Sequence, residues 1–185
     1  MEIWATQNAA DTTGTGTTDF VHGTVTTVPK AALHCFSNGQ IAGTKVNQGR
    51  FALGMSDGTD DRFTSIGMQH NIGTTVTSYR HGSADGCVSA CFTSGSSLDL
   101  AMSHNSWIAG GQRLNNDNAG GNATLVNSLF FDVDNAKVMT ATLNATVDTV
   151  VNIDPGFAWK AVIFFGCPET VLFGDGAEIY LGFFD

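Results

Sequence analysis

A short acidic stretch is the first candidate for chemistry in this sequence. Asp57, Thr59 and Asp61 alternate with other residues, as oxygen ligands do in calcium-binding loops. Asp60 adds charge, but the twelve-residue loop pattern is incomplete, because Asn71 and not a bidentate glutamate stands near its end. An Asp-Gly hairpin turn explains the same residues without a metal. We therefore predict a turn and no cofactor, with Asp57, Thr59 and Asp61 as weak metal candidates.

A second pair of acids follows an apolar run. Asp132 and Asp134 are two residues apart, so they lie on one face if the strand continues. Two such carboxylates suit a metal site or a glycosidase, but a strand that ends in an Asp-Asn turn is the commoner arrangement. The sequence favours the turn.

The histidines and cysteines form no recognisable catalytic pattern. His34 lies inside an apolar run, which is typical of a hydrogen-bonded core or interface histidine. It directly precedes Cys35, and neighbours on a strand point to opposite faces. Ser103-His104 has no convincing partner. Phosphate-binding loops, nucleophile elbows and zinc-protease motifs are missing, so we predict a protein that is not an enzyme.

The four cysteines are predicted to be reduced and mostly buried. Cys87 and Cys91 would be roughly 13 Å apart on a straight strand, which is too far for a disulfide. A second cysteine pair at zinc-binding spacing is missing. The other two are Cys35 and Cys167.

Charge and hydropathy argue against two classes of partner. The formal net charge is −9, and the 8 basic residues are spread singly. Binding to nucleic-acid phosphates needs clustered lysine and arginine, so we expect no nucleic-acid partner. No run approaches the roughly 20 apolar residues of a membrane-spanning helix, and the first residues lack the pattern of a signal peptide. We expect no membrane partner.

The composition predicts an all-β fold. Of the 17 acidic residues only 3 are Glu, while the chain contains 22 Gly, 13 Phe and abundant Thr. β-Branched and aromatic residues fit a pleated sheet, and Gly, Asn and Asp tolerate tight turns. We predict an antiparallel β-sandwich, jelly-roll-like, built from two related halves.

Two blocks of similar sequence indicate an internal duplication. The first is residues 28–36 with residues 51–57, and the second is residues 158–166 with residues 179–185. Each has a lysine before the first strand-like run and a glycine in the second, Lys30 and Gly54 in one copy and Lys160 and Gly182 in the other. Matching order at similar spacing is typical of a repeat.

The rest of the chain is divided by turn signals. Residues 1–18 end in a Thr/Gly run and are predicted to form an extended N-terminal arm. Residues 19–185 are predicted to be the sandwich domain, with halves at about 19–110 and 123–185. The Asn/Gly-rich residues 115–122 are predicted to be a loop between them. Three strands are expected afterwards, at 125–133, 137–143 and 146–153.

The repeated blocks resemble a β-sandwich type found in virion proteins of tailed phages. The similarity lies in the strand from Pro29 to Phe36, matched by Lys160 to Phe165 with Trp159 in place of the proline. It continues in the strand Ala52 to Met55, matched by Ile179 to Phe183, and in the Asp-Gly-Thr turn. It covers about a third of the chain. The resemblance implies a structural role on a virus particle and brings no catalytic residues.

These observations give a functional expectation with alternatives. We expect a capsid decoration or cement protein, a homo-oligomer, by analogy a trimer, that binds a major capsid or tail protein. It would be made in the host cytoplasm and located on the virion. The alternative is a tail-fibre module that binds a carbohydrate or receptor. A depolymerase acting through Asp132 and Asp134 is the weakest alternative.

Contacts with partners are expected from the arm and from two loops in equivalent positions. The loops are residues 37–49 and 167–178, since loops on a rigid β scaffold usually carry contacts. Exposed tryptophans such as Trp107 or Trp159 would serve the carbohydrate-binding alternative. The predicted interaction residues are Ile3, Trp4, Asn38, Gln40 and Trp107.

Overall fold

The computed structural model describes residues 1–10, 14–37, 48–72, 75–83, 86–90, 100–118, 124–141, 150–166, 174–175 and 180–184. Every regular element in these ranges is a β-strand, which confirms the all-β prediction. None of the described segments is a helix that could cross a membrane. The thirteen strands are β1 (Glu2–Ala9), β2 (Thr17–Val21), β3 (Ala31–Ser37), β4 (Gln48–Ser56), β5 (Asp61–Ile72), β6 (Thr75–Ser83), β7 (Val88–Ala90), β8 (Leu100–Ile108), β9 (Gly111–Asn118), β10 (Leu125–Asp132), β11 (Val162–Gly166), β12 (Gly174–Asp175) and β13 (Tyr180–Phe184).

The strands form three antiparallel sheets. The large sheet has the order β1-β10-β3-β4-β5-β6-β12, and the small sheet has the order β2-β9-β8-β7. Strands β11 and β13 form a separate two-stranded sheet. The large and small sheets pack face to face, as predicted for a β-sandwich.

The core lies between these two sheets and follows from alternation along the strands. In β3, residues 32, 34 and 36 are buried while their neighbours are half-buried, because successive side chains point to opposite faces. In β9, residues 112, 114 and 116 are buried in the same way. The largest fully buried apolar side chains are Phe20, Phe36, Phe130, Leu100, Met102, Leu114, Val88 and Val126.

The N-terminal segment belongs to the sandwich and does not form the predicted arm. Strand β1 pairs with β10 along its whole length, from Glu2 opposite Asp132 to Ala9 opposite Leu125. The Trp4 side chain is buried, and its indole N–H donates to the carbonyl oxygen of Gly110 at 2.9 Å. Residues 17–18 already belong to β2. Strand β1 lies at a sheet edge and has one solvated face, so many of its residues are polar. The sequence therefore did not indicate a strand there.

The Asn-rich run also differs from its prediction. Residues 115–118 belong to β9 and not to a loop. Asn116 is buried, accepts a hydrogen bond from the Thr18 hydroxyl at 3.0 Å and donates to the Thr15 carbonyl oxygen at 3.2 Å. These partners satisfy the amide, so an asparagine occupies an inward position of the strand.

The two similar blocks form hairpins with the same register. His34 of β3 lies opposite Gly54 of β4, and Phe164 of β11, at the equivalent position, lies opposite Gly182 of β13. The surroundings of the hairpins differ, because β3–β4 lies between β10 and β5 within the large sheet. Thus Leu53 is 7% exposed, whereas Leu181 at the equivalent position is 54% exposed.

The equivalent glycines also have different neighbours. A Cβ atom on Gly54 would lie 1.7 Å from the carbonyl oxygen of Cys87, so the backbone before β7 packs directly on β4. A Cβ atom on Gly182 would meet the ring of Phe164, at 2.3 Å. The missing side chain of Gly54 therefore allows the backbone of the small sheet to approach β4. The missing side chain of Gly182 allows the Phe164 ring of the same hairpin to pack on β13.

Candidate functional site

A chain of buried polar side chains crosses the core between the two sheets. His34 of β3 contacts the hydroxyl oxygen of Ser128 of β10 through Nδ1, at 2.8 Å. Its Nε2 contacts Oε1 of Gln112 of β9, at 2.9 Å. The amide nitrogen of Gln112 contacts Nδ1 of His104 of β8, at 2.7 Å. The four side chains therefore form one continuous hydrogen-bonded path from the large sheet to the small sheet.

Aromatic rings pack against both histidines of this path. The edges of Phe20 and Phe130 pack against His34, with ring centroids 6.0 and 6.1 Å away. At the other end, the ring of His104 packs against Trp107 with centroids 4.6 Å apart. His34 is completely buried, whereas His104 is half-buried. Solvent therefore reaches the path from the His104 end.

The surroundings keep the buried groups uncharged at neutral pH. Burial lowers the pKa of His34 to about 4, a shift only partly opposed by its hydrogen bond with Gln112. Burial also raises the pKa of the Cys87 thiol well above its ordinary value, and the nearby Asp61 carboxylate raises it further. Cys87 is therefore a buried thiol and not an activated nucleophile.

The acidic turn joins β4 and β5 and is fixed to the segment that follows β10. Oδ1 of Asp57 accepts the backbone N–H groups of Thr59 and Asp60, both at 2.8 Å. Its Oδ2 accepts the backbone N–H of Val138 at 2.6 Å. The Lys137 ammonium donates to Asp60 at 2.7 Å and lowers the pKa of that carboxyl. Both Asp57 oxygens are therefore occupied by backbone N–H groups that stabilise the turn.

The candidate metal ligands are consequently not arranged around one point. Asp61 Oδ2 accepts the backbone N–H of His104 at 2.6 Å, whereas Asp57 Oδ2 accepts that of Val138. Thr59 is exposed. Within the described ranges, no three His, Cys, Asp or Glu side chains are grouped as metal ligands would be. The Asp-Gly turn, with Gly58 at φ 87°, accounts for the geometry.

We expect Asp57→Ala to lower the free energy of unfolding by about 2 kcal/mol, because three backbone N–H groups lose their acceptor. The Asp57 side chain is only 4% exposed. Urea denaturation at pH 7 measures the effect, and Asp60→Ala, which removes an exposed ion pair, is the matched control with a smaller loss. A melting temperature that rises with added calcium in the wild type, but not in Asp57→Ala, would instead indicate a metal site.

The other predicted site residues lie apart from one another. Ile3 is exposed on the outer face of β1, whereas Trp4 is in the core. Trp107 packs on His104, and its indole nitrogen would be 2.4 Å from a Cβ atom on Gly58. Asn38 and Gln40 lie outside the described residues, as do most of the two predicted contact loops, Cys91 and Cys167.

The polar path contains residues that sequence reasoning did not identify. Gln112 lies next to the Asn-rich run and Ser128 lies within a Phe-rich strand, so neither stands out by motif. His34 was correctly expected to be a hydrogen-bonded histidine of the core. The sequence signal that could have identified Gln112 and Ser128 is their position: each belongs to a series of alternate residues that are buried and so lies on the inward face of its strand.

An open cleft lies at one edge of the sandwich, with a volume of about 590 Å³. Its only charged lining groups among the described residues are Asp19 and Arg113. The Arg113 guanidinium donates to both Asp19 oxygens, at 2.7 and 2.8 Å, and lowers the pKa of that carboxyl. Because the two groups neutralise each other, the cleft offers no net charge to a ligand.

Comparison with protein-family models, with curated proteins and with solved structures finds no match to this chain.

Proposed function

We propose that this chain is a non-enzymatic structural protein of a virus particle, of the capsid-decoration type, that acts by binding other protein surfaces. One observation carries the proposal: the β11–β13 hairpin repeats the register of the core hairpin β3–β4 but exposes its apolar side chains. Leu181 and Phe183 are two residues apart on one face, and Phe183 is 64% exposed. Exposed apolar patches of this kind mark interaction surfaces.

The interior supports the same proposal. His34 and the Cys87 thiol are buried and held uncharged, and the Asp57 oxygens are used within the turn. These groups therefore serve contacts between the sheets and within the turn, and none of them is an exposed nucleophile. The resemblance of the repeated blocks to virion proteins of tailed phages gives the particle as the place of action, with self-association into a homo-oligomer.

The proposal is tested by sedimentation with capsids assembled from the major capsid protein encoded in the same genome. We expect the chain to sediment with these particles, and cryo-electron microscopy to place it on their outer surface. The double variant Leu181→Thr/Phe183→Thr should reduce the affinity about tenfold or more while the fold persists, because threonine retains strand propensity and removes apolar surface.

The matched control is Val150→Thr, which removes a still more exposed apolar side chain outside the hairpin. It should bind as the wild type does. If the wild type fails to sediment with capsids or tails, the structural role is wrong. If the double variant binds as well as the wild type, the hairpin is not the contact surface.

A second candidate is the tail-fibre module that binds a carbohydrate or receptor. Trp159 favours it, because this side chain is half exposed and can offer a ring to a sugar. Trp107 supports it less, because the ring packs against His104. Binding on a glycan array that is lost in Trp159→Ala would favour this candidate over capsid decoration.

A further inference from the structure

We propose that the His34–Gln112–His104 path is a proton-responsive relay, in which protonation of His104 reverses the Gln112 amide and moves the proton of His34 from Nε2 to Nδ1. The inference is independent of the proposed function. It rests on the hydrogen-bonding capacity of each atom in the path, because an amide can donate at one end only and accept at the other only.

The neutral path has one consistent set of proton positions. Because Oε1 of Gln112 only accepts, Nε2 of His34 must carry the proton that joins them. Nδ1 of His34 is then the acceptor for the Ser128 hydroxyl. At the other end the Gln112 amide donates, so Nδ1 of His104 accepts and the proton of His104 is on Nε2.

One added proton changes every link in this path. When Nδ1 of His104 takes a proton from solvent, it becomes a donor and clashes with the amide N–H of Gln112. A half-turn of the amide places Oε1 against His104 and the NH₂ group against Nε2 of His34. That nitrogen must then accept, so His34 carries its proton on Nδ1 and donates to Ser128. The Nε2 proton of His34 is lost to solvent and another is taken up on Nδ1 when the path opens transiently, so His34 is neutral before and after. The net gain is one proton, on His104.

The groups around His104 favour it as the entry point. The Asp61 carboxylate on β5 accepts its backbone N–H, and the Asp57 carboxylate lies in the turn before β5. Both raise the pKa of His104, while burial lowers it by more. From its own strand Trp107 covers the ring. Neutral His34 lies beyond Gln112, and a charge on His104 would lower the pKa of His34 further. The protonated Cys87 thiol lies 3.9 Å from the amide nitrogen of Gln112.

The described groups that contact His34 are all uncharged. Ser128 of β10 and Gln112 of β9 bind its two nitrogens, and Phe20 of β2 and Phe130 of β10 contact the ring. None of these four contacts is a carboxylate that could compensate a charge at this end. His104 therefore takes the first proton. The hydrogen-bonded path between the sheets, here called the bridge, persists because its donors and acceptors exchange roles. A second proton, on His34, leaves the Gln112 NH₂ without an acceptor and opens the bridge.

The test is nitrogen NMR of the histidine rings in the intact chain, uniformly labelled with ¹⁵N, between pH 8 and pH 4.5. We expect the protonated and unprotonated signals of His34 to exchange between Nε2 and Nδ1, with a midpoint equal to that of His104. If His34 keeps its proton on Nε2 while His104 becomes fully protonated, the relay is wrong.

A variant separates the relay from two coincident titrations. Gln112→Met has a side chain of similar length that cannot transmit the change. In this variant His34 should no longer respond at the His104 midpoint, and a response that persists would overturn the proposal. His22, whose ring contacts the backbone N–H and the hydroxyl of nearby Thr24, serves as the internal reference. The wild-type measurement decides the matter by itself if Gln112→Met does not fold.

Discussion

Gly54→Ala is expected to destabilise the fold by more than about 3 kcal/mol, which would leave little of the stability of a typical domain. The added Cβ atom would lie 1.7 Å from the carbonyl oxygen of Cys87. This neighbour is backbone, so it cannot turn away as a side chain can. Relief requires β4 and the segment before β7 to separate, which opens the contact between the two sheets at the core.

The internal repeat supplies the matched control for this substitution. Gly182→Ala places a methyl group at the equivalent position of β13, where the nearest atoms belong to the ring of Phe164. A half-exposed ring can rotate, so we expect a loss below about 1 kcal/mol. Urea denaturation of both variants at pH 7 gives the comparison. Equal losses, or a Gly54→Ala variant with wild-type stability, would contradict the close approach of the sheets.

Acidification is expected to destabilise the protein by about 3 kcal/mol through His34 alone. The folded-state pKa of about 4 lies below the ordinary value of 6.5 because the ring is fully buried. As the pH falls below about 6.5, the unfolded chain takes up a proton that the folded chain does not. Stability contributed by neutral His34 is therefore complete above this pH, declines toward pH 4 and then levels off.

The measurement is the free energy of unfolding by urea at several pH values between 8 and 4. His34→Gln removes the titrating group, so its profile should be flatter than that of the wild type by about 3 kcal/mol over this range. His22→Gln removes a histidine from the exposed turn and controls for the change in histidine number. Parallel profiles for the wild type and His34→Gln would show that His34 is not the buried neutral group that the structure describes.

The sequence predicted those parts of the fold that depend on local alternation. The apolar run at residues 31–36 and the turn at Asp57-Gly58 have a physical basis within a few residues, and the structure places strand β3 and a hairpin there. The register of the two repeated hairpins is also implicit in the sequence, because lysine and glycine mark equivalent positions in both. Local patterns therefore fixed strands, turns and pairing within hairpins.

The missed elements depend on partners that are distant in sequence. Strand β9 has Gln112 and Asn116 at inward positions, and such residues are stable in a core only when His34, His104 and Thr18 supply their hydrogen bonds. Local composition alone therefore predicted a loop at residues 115–122, which overlaps the second half of β9. Strand β1 is similar, since its polar residues become a strand only through pairing with β10.

The opposite error affects the segment after β10. The alternating residues from Lys137 predicted a strand, but residues 137–141 form no strand in the structure. The backbone N–H of Val138 donates to the Asp57 side chain, and the hydroxyl of Thr140 accepts from Arg62 at 2.6 Å. Bonds to the acidic turn thus replace the ladder that the apolar pattern predicted.

The pairing of β1 with β10 has a consequence for how the chain reaches its fold. Gln7 and its partner Asn127 are 120 residues apart, and β10 must also receive β3 on its other edge. Contacts of this sequence separation slow folding, because a long loop must close before the pairing is gained. During synthesis Glu2–Ala9 must wait for its partner strand, and until β10 is made the edge of β3 that β10 will cover stays unpaired. The interval in which a bare strand edge is open to another chain is therefore set by topology, and a chaperone that shields this edge would have most effect before β10 is made.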